Sequence, residues 1–273
     1  MISDLLRRIL DGRAHIEDGD GESVEVIKAR FRAMVRPAVG LTFNQGEAVR
    51  DDPHSSIGGR PSLVPGEDWP VDGEGRPMLF LAQINYADMP SIPGYPNEGL
   101  LSVFVADDGQ SGCDFPSRNQ SGFLTRFHPH PENMVRASEG PDPRNDNYGK
   151  ELRRLGAPLY GKAVDGLPTS VLPMAEAIIG ELSDSDADEV CDWLLDQRPG
   201  TIYYGGCPDF IQYDIREEGA PETEVLLQQG HHYEKDRKWE ICWGDAGEAT
   251  FLLSEGDLAE RRFENSIYSW DCS

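Results

Sequence analysis

Gly205-Gly206-Cys207-Pro208-Asp209-Phe210-Ile211-Gln212, followed by Leu226-Leu227-Gln228 and then Trp243-Gly244-Asp245-Ala246-Gly247, is the stretch on which the reading of this chain turns. It sets a turn, a strand and a tight polar corner among aromatic residues. A shorter version lies upstream: Gly58-Gly59-Arg60-Pro61, Leu81-Ala82-Gln83 and Gly99-Leu100-Leu101-Ser102-Val103-Phe104. The order Gly-Gly-X-Pro, Leu-X-Gln, Gly-led apolar strand thus occurs twice, with 25 residues from Gly58 to Gln83 and 23 from Gly205 to Gln228. Such spacing implies an internal duplication, two related halves in one molecule.

Working outward, hydrophobic periodicity supplies the elements. Ile2, Leu5, Leu6, Ile9 and Leu10 fall on one helical face, as do Val24, Ile27, Phe31, Met34 and Val35. From Pro37 the period becomes two, with Val39, Leu41 and Phe43 alternating as in a half-buried strand. Met78 to Asn85, Leu100 to Val105, and Phe123, Thr125 and Phe127 predict further strands. In the first of these, alternation sends Met78, Phe80, Ala82 and Ile84 one way and Leu79, Leu81 and Gln83 the other. Ala187, Val190, Cys191, Leu194 and Leu195 predict a helix capped by Ser183 to Ser185 and stopped at Pro199-Gly200. Thr201 to Tyr204, Val225 to Gln229, Trp239 to Trp243, Ala249 to Leu253 and Ser266 to Trp270 read as strands. The predicted fold is α+β, with mostly antiparallel sheets, an internal duplication and a few packing helices. Its predicted divisions are N-terminal helices over 1–35, a first half over 36–135, a seam loop at 136–150 and a second half over 151–273.

Charge is the most unusual bulk property. Against 25 Lys plus Arg stand 49 Asp plus Glu, a net −24 in 273 residues. Phosphate backbones and anionic membranes are repelled by such a chain, which argues against nucleic acid and membrane as ligands. A basic protein would be steered toward it. The five cysteines are scattered, odd in number and without a C-x-x-C pair, which fits reduced thiols in a cytosol. No signal peptide is evident, and no stretch approaches the roughly 20 apolar residues that span a bilayer. The expected location is therefore the cytoplasm.

With these residues in view, the chain resembles the YwqG-like family, a bacterial domain family of unknown function. The likeness runs from Ile57 to Cys272 and rests on Ile57-Gly58-Gly59-Arg60-Pro61, Trp69-Pro70, Phe80-Leu81-Ala82-Gln83-Ile84-Asn85, the Gly206 to Gln212 motif, Trp243 to Gly247 and Trp270-Asp271-Cys272. Cys207 stands where the family suggests tyrosine, and the segment Glu132 to Leu172 is long. The resemblance implies a mixed α+β unit with internal duplication and conveys no catalytic residues. Some relatives are encoded near secreted polymorphic toxins, which hints at an immunity role.

Candidate ligand-binding residues are Gln83, Asp209, Asp214, Arg216, Trp243 and Asp245, the polar and aromatic groups most tightly embedded in motif sequence. Two facing carboxylates could exchange protons, and an arginine beside them could hold an anion. Each also has a structural reading. Gln83 in an apolar row can satisfy backbone groups of a neighbouring loop, and Asp209 or Asp245 can cap a turn. His128-Pro129-His130 and His231-His232 lack a third metal ligand, no phosphate loop or nucleophile elbow occurs, and no cofactor is expected. The leading expectation is a non-catalytic interaction protein, an immunity protein that blocks a basic toxin domain. The alternative is a small-molecule-binding protein or hydrolase using a pocket between the halves. A purely structural scaffold is the third reading.

Overall fold

The computed structural model describes residues 23–44, 46–114, 116–144, 152, 155–169, 173–212, 214–217, 219–234 and 239–272. The predicted helix at Ile2 to Leu10 lies outside them. Helix α1 (Val24–Ala33) buries Ile27 and Phe31 completely, and β1 (Arg36–Phe43) follows it directly. The remaining strands of the main sheet are β2 (Ser56–Ile57), β4 (Met78–Asn85), β5 (Leu100–Ala106), β6 (Phe123–His128), β8 (Ala157–Gly166), β9 (Ile202–Gly205), β10 (Glu222–Gln229), β13 (Glu248–Ser254) and β14 (Ile267–Asp271). Two small ladders, β3 (Ser62–Leu63) with β7 (Val135–Arg136) and β11 (His232–Glu234) with β12 (Trp239–Ile241), decorate it. Helices α2 (Pro173–Ile179), α3 (Asp184–Asp196) and α4 (Glu255–Ala259) follow α1 along the chain.

The ten strands run β14-β13-β10-β9-β1-β8-β2-β4-β5-β6, every neighbouring pair antiparallel. The sheet curls until its two ends meet, making a nearly closed barrel. Thr125 Oγ1 on β6 donates to the Phe263 carbonyl at 2.7 Å and shares a 2.6 Å hydrogen bond with Ser266 Oγ. Ser117 and Tyr268 exchange backbone bonds, and Phe127 stacks on Phe263 at 4.6 Å. Phe123 from one end packs against Phe251 and Tyr268 from the other. Inside lie Val39, Leu81, Leu101, Val103, Leu227 and Leu253 with Tyr204 and Trp243.

Period-two alternation sends the other residues of each strand outward. Tyr203, Val225, Leu252 and Ile267 make an outer apolar wall, and α1, α2 and α3 cover it with Ile27, Phe31, Ile178, Val190 and Leu194. Met78, Phe80 and Phe104 form a smaller outer patch under Trp69. A bulge between Phe80 and Ala82 interrupts the alternation, so Leu79, Leu81, Ala82 and Ile84 all belong to the interior cluster.

The expected α+β fold in two related halves is therefore corrected: the molecule is sheet-dominated, and its strands are interleaved. β8, assigned to the second half, pairs with β1 along its whole length and with β2, both assigned to the first. β1 pairs on its other side with β9. β8 carries no clear period-two signal, because Gly161 breaks its apolar pattern. A Cβ on Gly161 would stand 2.4 Å from Met89 Sδ and 2.9 Å from Val39 Cγ1, so the missing side chain is a packing requirement.

Closure predicts a specific weakness. Thr125→Val leaves the Phe263 carbonyl and Ser266 hydroxyl short of a buried partner. We expect a loss of about 1–3 kcal/mol, measured as a lower urea midpoint with an unchanged slope.

Candidate functional site

The polar corner after β9 is built from glutamine. Gly205 and Gly206 take positive φ values of 72° and 68°, which turns the chain off the sheet where a side chain would strike Pro37 and Ala38. The backbone of Asp209 then needs partners in a buried place. Gln228 provides them: its Nε2 donates to the Asp209 carbonyl at 3.0 Å, and its Oε1 accepts a long 3.4 Å bond from the Asp209 N–H. The same device serves the earlier corner, where Gln83 Oε1 accepts from Ser62 N–H at 2.8 Å and Gln83 Nε2 donates to the His54 carbonyl at 2.6 Å. This recurrence is local to the two corners.

Asp209 itself is 1% exposed. Arg198, just past the end of α3, reaches in to place Nη2 2.6 Å from Asp209 Oδ2 and Nη1 3.2 Å from Glu248 Oε1. Gln228 Nε2 also donates to Glu248 Oε2 at 2.9 Å. Two buried carboxylates thus share one guanidinium. Burial pushes the Asp209 carboxyl up to about 7, with repulsion from Glu248 adding to it and Arg198 opposing it. Burial likewise raises Glu248, against the pull of Arg198. Thr169 is close enough to act on the Asp209 titration. The Phe210 N–H acts in the same downward direction, while Thr169 Oγ1 and Asp209 Oδ1 both lack a partner of good hydrogen-bond geometry among the described residues. These groups line a pocket of about 160 Å³ whose other walls are Leu194, Leu195, Phe210 and Ile211.

A family model for a domain of unknown function, DUF1963, matches residues 55–272. The chain belongs to the DUF1963 family. No curated protein matches it. The matched DUF1963 range includes the pocket and both glutamine corners, while β1, in the middle of the sheet, precedes it.

Within the DUF1963 domain the six predicted site residues are dispersed. Gln83 is on β4, separated from β10 and Gln228 by four strands of the sheet order, and its amide is consumed by its own loop. Asp214 and Arg216 pair with each other through bonds of 2.6 Å and 2.8 Å, and Arg216 also donates to the Glu222 carbonyl. Trp243 is buried in the barrel interior against Tyr268. Asp245 lies in the exposed turn that joins Trp243 to Gly247. Only Asp209 lines the pocket. Arg198, Glu248 and Thr169 were missed: Arg198 precedes the Pro199-Gly200 stop and Glu248 follows a glycine turn, so local context explained both. Their one legible signal was the motif around Asp209, which gives the corner without its partners.

Arg198 is what makes the paired carboxylates tolerable. Arg198→Gln should cost about 3–5 kcal/mol at pH 8, above the range in which Asp209 titrates, because it leaves buried charge unpaired. The sign with pH follows from the raised carboxyls. The folded state keeps a proton on Asp209 that the unfolded chain has released between pH 3.8 and about 7, so its contribution to stability falls as pH rises through that window. At pH 5 the loss in Arg198→Gln should accordingly be smaller, as urea unfolding at both pH values would measure.

Proposed function

We propose that the protein is a non-catalytic interaction module that captures a basic protein on the face made by α2 and α3. The observation that carries this reading is an arrangement on α3 that works against the helix. Asp184, Asp188, Asp192 and Asp196 are spaced by four and form one acidic stripe, with Asp186 and Glu189 beside them. Like charges at that spacing each destabilise a helix by about 0.2–0.5 kcal/mol. The last turn carries no basic residue, so Asp192 and Asp196 also oppose the negative end of the helix dipole. Ser183 caps the start by accepting from Asp186 N–H, where acids are favourable; Asp188, Asp192 and Asp196 form no ion pair among the described residues.

Both helices also expose an apolar side chain. Met174 on α2 is 51% exposed and Leu195 on α3 is 52% exposed. From residue 173 to residue 196 there is no Lys or Arg, and Glu176 and Glu181 extend the negative field. On the inner side α1 supplies the counter-charge: Lys28 Nζ is 2.7 Å from Glu189, and Arg32 lies over the Trp193 ring. An apolar-studded acidic face fits a basic, partly apolar surface on a partner. The YwqG-like resemblance, with its relatives near secreted toxins, supports the specific form of an immunity protein bound to a basic toxin domain in the cytosol.

Products of genes adjoining this one supply the partners to test. Binding measured by calorimetry should be tight at low salt and weaken steeply toward about 0.5 M, as expected when screening shortens the range of surface charge. Replacing Asp188, Asp192 and Asp196 by Asn should abolish that binding and yet raise unfolding stability by roughly 0.5–1 kcal/mol. A partner whose binding is indifferent to both salt and the triple substitution would overturn this reading.

A further inference from the structure

We propose that the pocket between the end of α3 and the Asp209 corner is an anchor site for one basic side chain, with arginine the favoured occupant. This deepens the reading of the acidic face and rests on it for the identity of the partner class. When both are ionised the cluster carries a surplus negative charge, since two carboxylates, Asp209 and Glu248, face the single guanidinium of Arg198. Arg198 engages only one oxygen of Asp209. The other, Oδ1, accepts no hydrogen bond among the described residues although the residue is 1% exposed, and the neighbouring Thr169 hydroxyl is likewise without a partner. A buried carboxylate oxygen without a donor is costly, so the position calls for an N–H.

The walls suit the rest of such a side chain. Leu194, Leu195, Phe210 and Ile211 are apolar and enclose about 160 Å³, enough for an alkyl stem with a planar cationic head. The head would donate to Asp209 Oδ1 and Thr169 Oγ1 at the polar end. Leu195 both lines the pocket and stands half exposed at the end of the acidic stripe, so a cation steered along α3 arrives at the pocket. Arg198 Nε is also unpartnered here, but the two carboxyls beside it disfavour an anion, and a neutral hydroxyl lacks the charge that a cation brings to Asp209. An arriving cation would also displace the proton that burial leaves on Asp209, so binding near pH 7 should release protons.

The test uses the full chain and two small probes, N-acetyl-arginine methylamide and its neutral citrulline counterpart, titrated by calorimetry at pH 7 in buffers of different ionisation enthalpy. The arginine probe should bind with proton release and the citrulline probe at least tenfold more weakly. Asp209→Asn should weaken the arginine probe by a comparable factor. Leu195→Trp, a surface change that fills the mouth and leaves the buried cluster intact, should block it and covers the case in which Asp209→Asn does not fold. Equal binding of the two probes, or undiminished binding in Leu195→Trp, would refute the pocket. A hexalysine peptide separates this idea from the acidic-face reading. If the peptide binds in a way that Asp188, Asp192 and Asp196 substitution removes while the arginine probe fails, the pocket falls and the face stands. If the probe binds as expected while the peptide ignores that substitution, the pocket stands and the face falls.

Discussion

A sheet of ten strands has two edges and two faces to protect, and curling it until β6 meets β14 settles most of that at once. One face becomes the interior, filled by Leu, Val and aromatic side chains from both ends of the sequence. The edges are joined by side-chain and backbone bonds, among them Thr125 with Phe263 and Ser266, and Ser117 with Tyr268. Closure leaves the outer face to be covered separately, and among the described residues α1, α2 and α3 lie against the wall made by β9, β10, β13 and β14. Those helices need one apolar side each. Their other side has no packing duty, which is why it can carry a charge pattern that a core helix could not.

Local pattern made the long elements legible. β4 was read with its observed limits, and the helix around Val190 with its Ser183 cap, because each has an uninterrupted period and a clear stop. What escaped was whatever depends on a distant partner. β8 carries Gly161 and several polar residues, yet it sits in the middle of the sheet because β1 supplies a full ladder beside it. The bulge in β4 shows itself only in the register with β5, so faces assigned from alternation failed beyond Phe80. The repeated Gly-Gly and Leu-X-Gln signals were real as corners and misleading as a plan of two halves. The site was legible to the extent of Asp209, whereas Arg198 and Glu248, 11 and 39 residues away in the chain, reach it only through folding.

Helix α3 sets local stability against surface chemistry. Its inward residues, Val190 and Leu194, follow the packing rule, and its Ser183 cap follows the helix-start rule. Its outward residues break the rules for charge at the one end where they are broken at a cost. In proteins, departures of that kind concentrate where function rather than folding chose the residue. Spread over the rest of the surface, acidity would be read as solubility alone; a stripe along one helix with Leu195 at its end gives the charge a direction.

The two glutamine corners then provide an internal comparison for Asp209. At each, an amide from a neighbouring strand bonds the residue four places after the first glycine of a Gly-Gly pair: Gln83 bonds Ser62, and Gln228 bonds Asp209. The first corner is built with a neutral serine, buried to 2%, and is complete. Nothing in the turn therefore demands a carboxylate. Placing one there puts a second buried acid next to Glu248, lifts the Asp209 carboxyl to about 7, and requires Arg198 as a counter-ion. A neutral residue in that position would keep every backbone bond that Gln228 makes and would remove the repulsion. The charge at Asp209 is therefore surplus to the fold, and the side of it that Arg198 leaves unbonded belongs to a pocket at the end of the acidic helix.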